Sequence, residues 1–348
     1  MPGKYRSAAA VPLDQAVGTV LAHDITEIRA GQFKGAAFKK GHIVTEEDLP
    51  HLRRLGKEHL FALNIGPGEV HEDDAAIRLA EALAGTGVYF DGGPSEGKIS
   101  LKSEYRGLLK VNANALMEMC MSPDICCASR HNNTLVEKGE IIAAARAIPL
   151  VIDEKDLYAA IRIAREAHGL FSVRPLTRLQ AGIVITGNEV YKGLIEDKFA
   201  SILRQKLLTL GTETKKVLYA PDDRQTISGH IRALLSEGAN LVLVSGGMSV
   251  DPDDVTRMAI ADAGAKDLVY GTPVLPGAMF LYARLGDVPV LGLPACVIFH
   301  RATVLDLVLP RILAGETISR RDLAEMAYGG LCLNCEVCKY PVCPFGKA

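Results

Sequence analysis

The sequence has no tryptophan, and aromatic residues make up only 5% of its 348 positions. No window approaches about 18 consecutive apolar residues, which argues against a membrane-spanning helix. The first residues, MPGKYRSAAAVPLDQ, lack the apolar core of a signal peptide. A formal net charge of −2 gives no electrostatic reason to expect nucleic acid or an anionic membrane as a partner. We therefore expect a cytoplasmic protein with neither partner.

Two common nucleotide-binding patterns are also missing. The glycine pair at Gly246 and Gly247 is followed by MSVD, so the dinucleotide pattern GxGxxG does not occur there. Neither GKS nor GKT is present, so the sequence has no P-loop. These absences argue against binding of NAD and against P-loop nucleotide chemistry.

The composition that remains is typical of a soluble globular protein, with 48% hydrophobic and 23% charged residues. A chain of 348 residues is long enough for two or three domains. The chain contains eight cysteines. Because structural disulfides are uncommon in the cytoplasm, metal ligation is the better explanation for a cluster of them.

Short, nearly continuous apolar runs rich in valine, isoleucine and leucine recur after residue 180. They are AGIVITG (181–187), KKVLYAP (215–221), NLVLVSGG (240–247) and VPVLGLP (288–294). Helical patterns separate the first three runs and follow the last. Strands that are apolar on both faces belong inside a parallel sheet covered by helices. The sequence therefore predicts a doubly wound α/β domain, in which ligands bind at the carboxyl ends of the strands.

The earlier part of the chain has weaker patterns. Helices are predicted over 45–56, 73–85, 112–121 and 153–169, with a strand over 59–63. Together these patterns predict an N-terminal α+β region before the sheet domain. The predicted division is an N-terminal region (1–85), an inserted α+β module (86–175), the sheet domain (176–318) and a cysteine-rich tail (319–348).

Ser245, Gly246 and Gly247 end the predicted central strand. Two glycines at this point let the backbone approach a ligand closely and present amide N–H groups to an anion. The alternative is a tight turn between strand and helix that binds nothing.

Carboxylates follow three of the predicted strands: Glu189 the first, Asp222 and Asp223 the second, and Asp254 the third. If these strands are neighbours, the acids meet at one edge of the sheet. Hard oxygen ligands beside an anion-binding turn suit Mg²⁺ that bridges to a phosphate. The alternative is structural: Asp253 or Asp254 caps the following helix, and the PDD segment is a plain turn.

Several ordered motifs carry a family resemblance. They are TGNEV (186–190), APDDRQTI (220–227), LVLVSGGMSVDPDDVTRMAI (241–260), VLPGAMFLYARLG (274–286) and VLGLPACVIF (290–299). Their order resembles the molybdopterin-binding domain shared by bacterial molybdopterin molybdenumtransferase, molybdopterin adenylyltransferase and gephyrin-type proteins. The segment FKKGHIVTEEDLPHLRRLGKEHLFAL (38–63) also resembles part of the molybdenumtransferase.

The resemblance implies an enzyme of molybdenum cofactor biosynthesis that forms a homo-oligomer. Adenylylated molybdopterin would be hydrolysed while molybdate is delivered to its dithiolene sulfurs, with Asp254, Asp222 and Glu189 as catalytic residues. The implied cofactor-binding residues are Thr186, Gly187, Asn188, Ser245, Gly246, Gly247, Ser249 and Pro294. A nucleotide-pyrophosphate hydrolase on the same domain, as in the competence-damage family, is a further alternative.

The sequence departs from the family at two places. Leu275 and Ala278 stand where the transferase typically has lysines, and Ala295 and Cys296 stand where glycine and asparagine are expected. Losing cations from an oxyanion site removes charge-assisted hydrogen bonds. The second hypothesis is therefore a non-catalytic molybdopterin-binding chaperone, or a redox- or metal-responsive sensor, that docks on a molybdoenzyme.

The tail contains four of the eight cysteines, in the segment CLNCEVCKYPVCP: Cys332, Cys335, Cys338 and Cys343. This spacing, C-x2-C-x2-C-x4-C-P, resembles the ferredoxin-type run that holds a [4Fe–4S] cluster, with one extra residue before the last cysteine. A compact Zn²⁺ knuckle and an unliganded tail are the alternatives.

The remaining cysteines carry weaker expectations. Cys120, Cys126 and Cys127 lie in the poorly patterned module, where we expect buried free thiols. For Cys296, at the ligand edge, a packing role is slightly favoured over a functional one.

Overall fold

The computed structural model describes residues 8–29, 33–63, 65–249, 251 and 254–347. The chain forms two compact units. The first comprises residues 1–105, 109–130 and 136–173, and the second comprises 106–108, 131–135 and 174–348. The finer division into four parts stays a prediction. Within the described residues, no helix is both long and apolar enough to span a membrane.

The part of the chain up to Pro175 mixes short strands with four helices among its described residues. The strands are β1 (Ala8–Pro12), β2 (Ile25–Arg29), β3 (Phe33–Phe38), β4 (His59–Leu63), β5 (Glu69–His71), β6 (Val88–Tyr89), β7 (Lys98–Ser103), β8 (Gly107–Val111), β9 (Ile125–Ser129), β10 (Leu135–Val136), β11 (Ile141–Ala147), β12 (Val151–Asp153) and β13 (Phe171–Pro175). The helices are α1 (Leu49–Arg54), α2 (Glu72–Leu83), α3 (Ala113–Cys120) and α4 (Glu154–Glu166).

These helices confirm the predicted ones, with small shifts at their ends. The helix expected over 45–56 is split into a 3-10 turn, Glu46–Asp48, and α1. Thr45 and Asp48 form a reciprocal capping box at its start. Asp153 caps α4 as expected, through a hydrogen bond from the backbone N–H of Lys155.

The middle of the first unit is an antiparallel sheet in the order β6-β7-β11-β9. Its core combines apolar side chains from this sheet with those from α2 and α4. Leu79 and Leu83 of α2, Leu101 of β7 and Ile142 of β11 are almost completely buried there. The predicted N-terminal α+β region is therefore confirmed.

The second unit alternates strands and helices. Its strands are β14 (Gln180–Thr186), β15 (Glu213–Ala220), β16 (Leu241–Ser245), β17 (Lys266–Tyr270), β18 (Leu281–Leu285) and β19 (Val288–Leu293). Its helices are α5 (Asn188–Tyr191), α6 (Phe199–Thr209), α7 (Arg224–Ser236), α8 (Thr256–Asp262), α9 (Val304–Leu313) and α10 (Arg320–Glu325).

These strands form one six-stranded sheet in the order β15-β14-β16-β19-β18-β17. The first four strands are parallel to one another. β18 pairs antiparallel with β19, and β17 pairs antiparallel with β18. Successive residues of β16 alternate between two cores: Leu241 and Leu243 enter one, and Val242 and Val244 enter the other. Because both faces are covered, the apolar runs are nearly continuous. The predicted mainly parallel, doubly wound sheet is confirmed.

The strand register brings the expected motifs to one edge. Thr186 at the end of β14 is paired with Ala220 of β15, and Ile185 is paired with Ser245 of β16. Ser245 is in turn paired with Leu293 of β19. The TGN, PDD, SGG and LPA segments therefore follow neighbouring strands at the carboxyl edge of the sheet.

After α10 the chain packs back onto the second unit without further helices among its described residues. The backbone N–H of Cys332 donates to the carbonyl of Leu275 (2.8 Å), and the N–H of Leu275 donates to the carbonyl of Gly330 (2.8 Å). Phe345 is buried in the core of this unit. These contacts fasten the cysteine-bearing segment to the VLPG loop.

Candidate functional site

The glycine turn after β16 has a backbone that only glycine fits. Gly246 and Gly247 have φ angles of +87° and +57°, in the left-handed region that other residues rarely adopt. A Cβ atom on Gly246 would lie 2.7 Å from Oγ1 of Thr186, and one on Gly247 would lie 2.5 Å from Oγ1 of Thr256. The turn therefore packs tightly on two threonine hydroxyls and carries no side chains of its own at these two positions.

The two threonines support this turn from below. Oγ1 of Thr186 donates a hydrogen bond to the carbonyl of Ser245 (2.8 Å) and lies 3.3 Å from Oγ1 of Thr256. The backbone N–H of Thr256 donates to the carbonyl of Gly247 (3.2 Å). Both threonines are buried. Thr256 was not among the predicted site residues, although its place as the first residue of the helix after the turn was a usable signal.

Ser245 itself is fully buried. Its hydroxyl has no hydrogen-bond partner among the described residues. Because the side chain is enclosed, Ser245 can meet a ligand in this conformation only through the backbone of the turn that it begins.

The TGN and PDD segments are hydrogen-bonded to each other. The backbone N–H of Asn188 donates to Oδ2 of Asp222 (3.0 Å), and the N–H of Asp222 donates to Oδ1 of Asn188 (3.4 Å). This reciprocal pair holds the ends of β14 and β15 in a fixed relation. It also brings together two of the predicted site residues.

Asp223 has the structural role that was the alternative for the PDD segment. It caps α7 by accepting hydrogen bonds from the backbone N–H (2.8 Å) and the hydroxyl (2.6 Å) of Thr226. These bonds from Thr226 lower the pKa of the Asp223 carboxyl below its usual value, because they stabilise the charged form. Asp223 is thus occupied as a helix cap.

The other two predicted catalytic carboxylates are placed differently. Glu189 is exposed on the short helix α5, and Asp254 is half-buried before α8. The position preceding α8 is Val255, so Asp254 is not the N-cap residue; Asp253 lies outside the described residues. Across the described chain, no three histidine, cysteine or carboxylate side chains are grouped so that they could hold a metal ion. The structure therefore does not assemble Asp254, Asp222 and Glu189 into a magnesium site, and Mg²⁺ stays a prediction.

A tyrosine holds Met248, the residue that follows the glycine turn. The hydroxyl of Tyr270, at the end of β17, donates to the carbonyl of Met248 (2.7 Å). The guanidinium of Arg257 lies over the ring of Tyr270, 4.7 Å from its centroid. Ser249 follows Met248 and is exposed. Neither Tyr270 nor Arg257 was predicted, because their spacing in the sequence gives no sign that they meet at this turn.

The positions that depart from the family resemblance lie in ordered loops. Leu275 is exposed, while its backbone is bonded to the C-terminal segment. Pro294 precedes a 3-10 turn, Ala295–Ile298, at the carboxyl end of β19. Burial raises the pKa of the Cys296 thiol in this turn. Cys296 is thus held in its neutral form at neutral pH.

The C-terminal cysteines are not gathered into a metal site. Cys335 is exposed, whereas Cys332, Cys338 and Cys343 are half-buried. Cys332 and Cys343 pack against the apolar core of the second unit. In the described part of the chain all eight cysteines are unpaired. The [4Fe–4S] and Zn²⁺ alternatives for this segment therefore stay predictions.

The cysteines of the first unit correct an expectation. Cys120 and Cys126 are exposed and Cys127 is half-buried, whereas all three were expected to be buried. The expectation was wrong because the helix and the edge strand that carry them have outward faces, which the weak sequence pattern did not reveal.

Comparison with known proteins identifies the domain. Residues 182–314 match the family described as "Probable molybdopterin binding domain", and residues 10–64 match a domain of unknown function (DUF8806). This match confirms the predicted molybdopterin-binding domain for residues 182–314. The resemblance of residues 38–63 to the molybdenumtransferase stays a prediction.

CinA-like proteins are among the similar sequences. One from Mycobacterium sp. (strain MCS) is 33% identical over 93 residues, which are 27% of this chain and 22% of that protein. One from Mycolicibacterium vanbaalenii is 31% identical over 109 residues, 31% of this chain and 24% of that protein. The chain thus spans about a quarter or less of the length of these curated relatives.

Solved structures give weaker likenesses. The protein CinA from Thermoplasma acidophilum is 20% identical, with a TM-score of 0.36, and the match covers 39% of this chain and 98% of that one. The molybdopterin biosynthesis enzyme MoaB from Thermus thermophilus is 22% identical, with a TM-score of 0.34, and the match covers 40% of this chain and 98% of that one.

Proposed function

We propose that the second unit binds molybdopterin, in its adenylylated form, at the carboxyl edge of the sheet and delivers molybdate to the dithiolene. The observation that carries the proposal is the glycine turn, Ser245–Gly247, within a match to the probable molybdopterin-binding domain. The N–H of Gly246 already donates to the carbonyl of Leu293 (3.2 Å), so a phosphate would be met by the backbone N–H groups that follow Gly246, with no glycine side chain between them.

Two features support a ligand that crosses the sheet edge. The Asn188–Asp222 pair stands after β14 and β15, so it flanks the turn that follows the neighbouring strand β16. Thr186 and Thr256 hold the turn from below, which keeps its shape before a ligand arrives. A preorganised edge of this kind lowers the entropy lost on binding.

Arg257 is the cation that we assign to the ligand's phosphate. Leu275 and Ala278 replace the usual lysines, so the site needs positive charge from elsewhere. Arg257 is stacked on Tyr270, whose hydroxyl donates to the carbonyl of Met248, the residue that follows the glycine turn. A guanidinium held beside the turn can form a charge-assisted hydrogen bond to a phosphate.

The alternative is a non-catalytic binding protein, such as a cofactor chaperone or a sensor. It is favoured by the missing lysines and by the lack of a three-carboxylate metal site among the described residues. The catalytic hypothesis depends on Asp254, Asp222 and Glu189. Location in the cytoplasm, homo-oligomer formation and docking on a molybdoenzyme also remain predictions.

Ligand binding is tested by thermal unfolding of the full chain. Molybdopterin or its adenylylated form should raise the unfolding temperature by mass action, and NAD and ATP should raise it much less. Arg257→Gln should reduce the shift, whereas Arg321→Gln, which removes the same charge from an exposed pair with Glu325, should not. An equal shift with NAD would overturn the proposed ligand.

Turnover separates the two hypotheses. The transferase should hydrolyse adenylylated molybdopterin and load molybdate, measured with and without Mg²⁺. Binding without either reaction under both conditions would leave the chaperone or sensor as the function.

A further inference from the structure

The C-terminal segment of the second unit presents an apolar face to solvent. Six large apolar side chains, on this segment and on the VLPG loop that it contacts, are between 53% and 84% exposed. They are Leu275, Tyr328, Leu331, Leu333, Val337 and Val342, and together they are called the C-terminal face. Single exposed apolar residues are normal, whereas a cluster of this kind marks an interaction site.

Backbone hydrogen bonds make this segment one piece of surface. The N–H of Gly346 donates to the carbonyl of Gly329 (2.9 Å), which brings the two ends of the segment together. The N–H of Cys332 donates to the carbonyl of Leu275 (2.8 Å), and Leu275 and Leu331 form a parallel β-bridge. Leu275 therefore lies beside Leu331, and the C-terminal face extends onto the VLPG loop.

The inner side of the segment is already packed. Phe345 is buried, and its ring lies edge-on to that of Tyr340, with 6.3 Å between the ring centroids. The hydroxyl of Tyr340 donates to the carbonyl of Asp306 in α9 (3.1 Å). Because these two rings fix the segment to the second unit, its exposed apolar side chains point away from that core. Another molecule is therefore needed to take them out of water.

The size of the C-terminal face suits a second copy of the chain. Six side chains of these exposures present about 700 Å² of apolar surface, which is more than the largest patch on a typical monomer and close to what one partner buries in a stable dimer. Dimers with a two-fold axis are the commonest soluble oligomers, and their interfaces are more apolar than other surfaces. Such an interface must be complementary to itself.

The charges within the C-terminal face meet this condition. Glu336 and Lys339 are both exposed, and they stand on either side of Val337 and Cys338. A two-fold axis that passes beside this pair reverses the chain direction of one copy relative to the other. Glu336 of each copy then lies opposite Lys339 of the other copy. Opposite charges placed in this way favour a second copy over an unrelated partner.

We propose that the C-terminal face is the interface of a two-fold symmetric homodimer of this chain. The dimer buries the six apolar side chains between the two copies and pairs Glu336 of each copy with Lys339 of the other. It depends neither on the ligand of the sheet edge nor on a metal at the cysteines.

Sedimentation velocity of the full-length protein, over a wide range of protein concentration, measures the oligomeric state. A thiol reductant is present throughout, so that disulfides between exposed cysteines cannot link the copies. The wild type should be a dimer. Leu333→Glu and Val342→Glu should each raise the dissociation constant of the dimer by at least about tenfold, because a carboxylate in the apolar interface loses its hydration.

A matched control comes from the first unit. Met121 is 78% exposed at the end of α3, outside the C-terminal face. Met121→Glu adds the same charge to an equally exposed side chain and should leave the dimer unchanged. All three positions are exposed, so each variant should unfold thermally as the wild type does, which checks that folding is kept.

Exchange of charges tests the two-fold arrangement. Glu336→Lys should raise the dissociation constant by at least about threefold, because it places like charges opposite each other across the axis. The double variant Glu336→Lys with Lys339→Glu restores opposite charges and should dimerise as the wild type does.

Any of five results would overturn the proposal. They are a wild type that stays monomeric at every concentration, an oligomer without a two-fold axis such as a trimer, a dimer that Leu333→Glu and Val342→Glu leave intact, equal weakening by Met121→Glu, and a double charge variant that dimerises no better than Glu336→Lys. A monomeric wild type would leave a different protein as the partner of the C-terminal face.

Discussion

At the carboxyl edge of the six-stranded sheet, backbone pairing between neighbouring strands brings the polar groups together. Thr186, Asp222 and Ser245 each stand at, or just beyond, the end of a strand whose register is fixed by the next one. The segment from Cys332 to Cys343 has no strand or helix to position its thiols, and its described residues form turns and bends. The two regions differ in what positions their side chains.

The difference has a physical consequence. A site made by strand ends is preformed, because burying the strands already sets the geometry. A site made by thiols on a loop gains its geometry when the metal binds, so metal binding and local ordering are coupled. The spacing of residues is therefore a better guide to geometry at the sheet edge than in the cysteine segment.

The largest expected effect is that of Gly246→Ala. The left-handed backbone alone costs roughly 1–2 kcal/mol for an alanine, and the new Cβ would lie 2.7 Å from Oγ1 of Thr186. Overpacking of this kind adds about 1–3 kcal/mol. The matched control is Gly211→Ala, with a similar φ of +77° and no described atom within 4 Å of the Cβ position. Urea unfolding should show a clearly larger loss for Gly246→Ala. Equal losses of unfolding free energy in the two variants would mean that the turn can change its conformation to fit the new methyl group, so that it is not preformed.

Analysis of the metal content of the purified protein tests whether the cysteine segment differs from the sheet edge in this way. The spacing of Cys332, Cys335, Cys338 and Cys343 predicts about four irons per chain and a broad visible absorption in anaerobic preparations. One zinc per chain without colour would leave the knuckle as the explanation. Bound iron or zinc would show that the metal brings together thiols that are not grouped in the described chain without it. Protein without metal would leave an unliganded tail.

Asp254→Asn tests the proposed chemistry at the sheet edge. Folding should be nearly unchanged, because the residue before α8 is Val255 and Asp254 does not cap the helix. Turnover of adenylylated molybdopterin should fall by at least about tenfold, or roughly 1.4 kcal/mol of transition-state stabilisation. Asp251→Asn, a nearby exposed carboxylate, is the control and should keep full turnover. Normal transfer by Asp254→Asn would remove this residue from the catalytic set.

The last prediction compares two buried hydroxyls under the turn, and the smallest effect is expected for Ser245→Ala. Thr186→Val removes a hydrogen bond to the carbonyl of Ser245, which should cost about 1–3 kcal/mol because the acceptor stays buried. Ser245→Ala removes a buried hydroxyl that has no partner among the described residues, so stability should stay the same or rise. Thermal unfolding of both variants measures the difference. A loss for Ser245→Ala as large as for Thr186→Val would contradict this account of the turn.

The continuous apolar runs were sufficient to predict four strands, their parallel arrangement and the carboxyl edge of the sheet as the ligand side, whereas the order of the strands came from the structure. β17 and β18 were not predicted as strands. β17 has mostly exposed residues, so it lacks a continuous apolar run. The polar partners that meet from distant segments, Tyr270 with Met248 and Thr256 with Thr186, were also missed.

The sequence by itself determined which segments form the buried central strands, because β14 and β16 are continuous apolar runs; the run in β15 lies at the sheet edge and is mostly exposed or half-buried. The sequence therefore specified the glycine turn and the sheet edge that contains it. Only the tertiary structure decided which polar groups hold that turn, and that Asp223 caps a helix. It also decided that Cys120 lies beside Cys127, while the C-terminal thiols stay apart in the described chain. Contacts between side chains depend on how segments far apart in the chain are packed, and local sequence does not encode that packing.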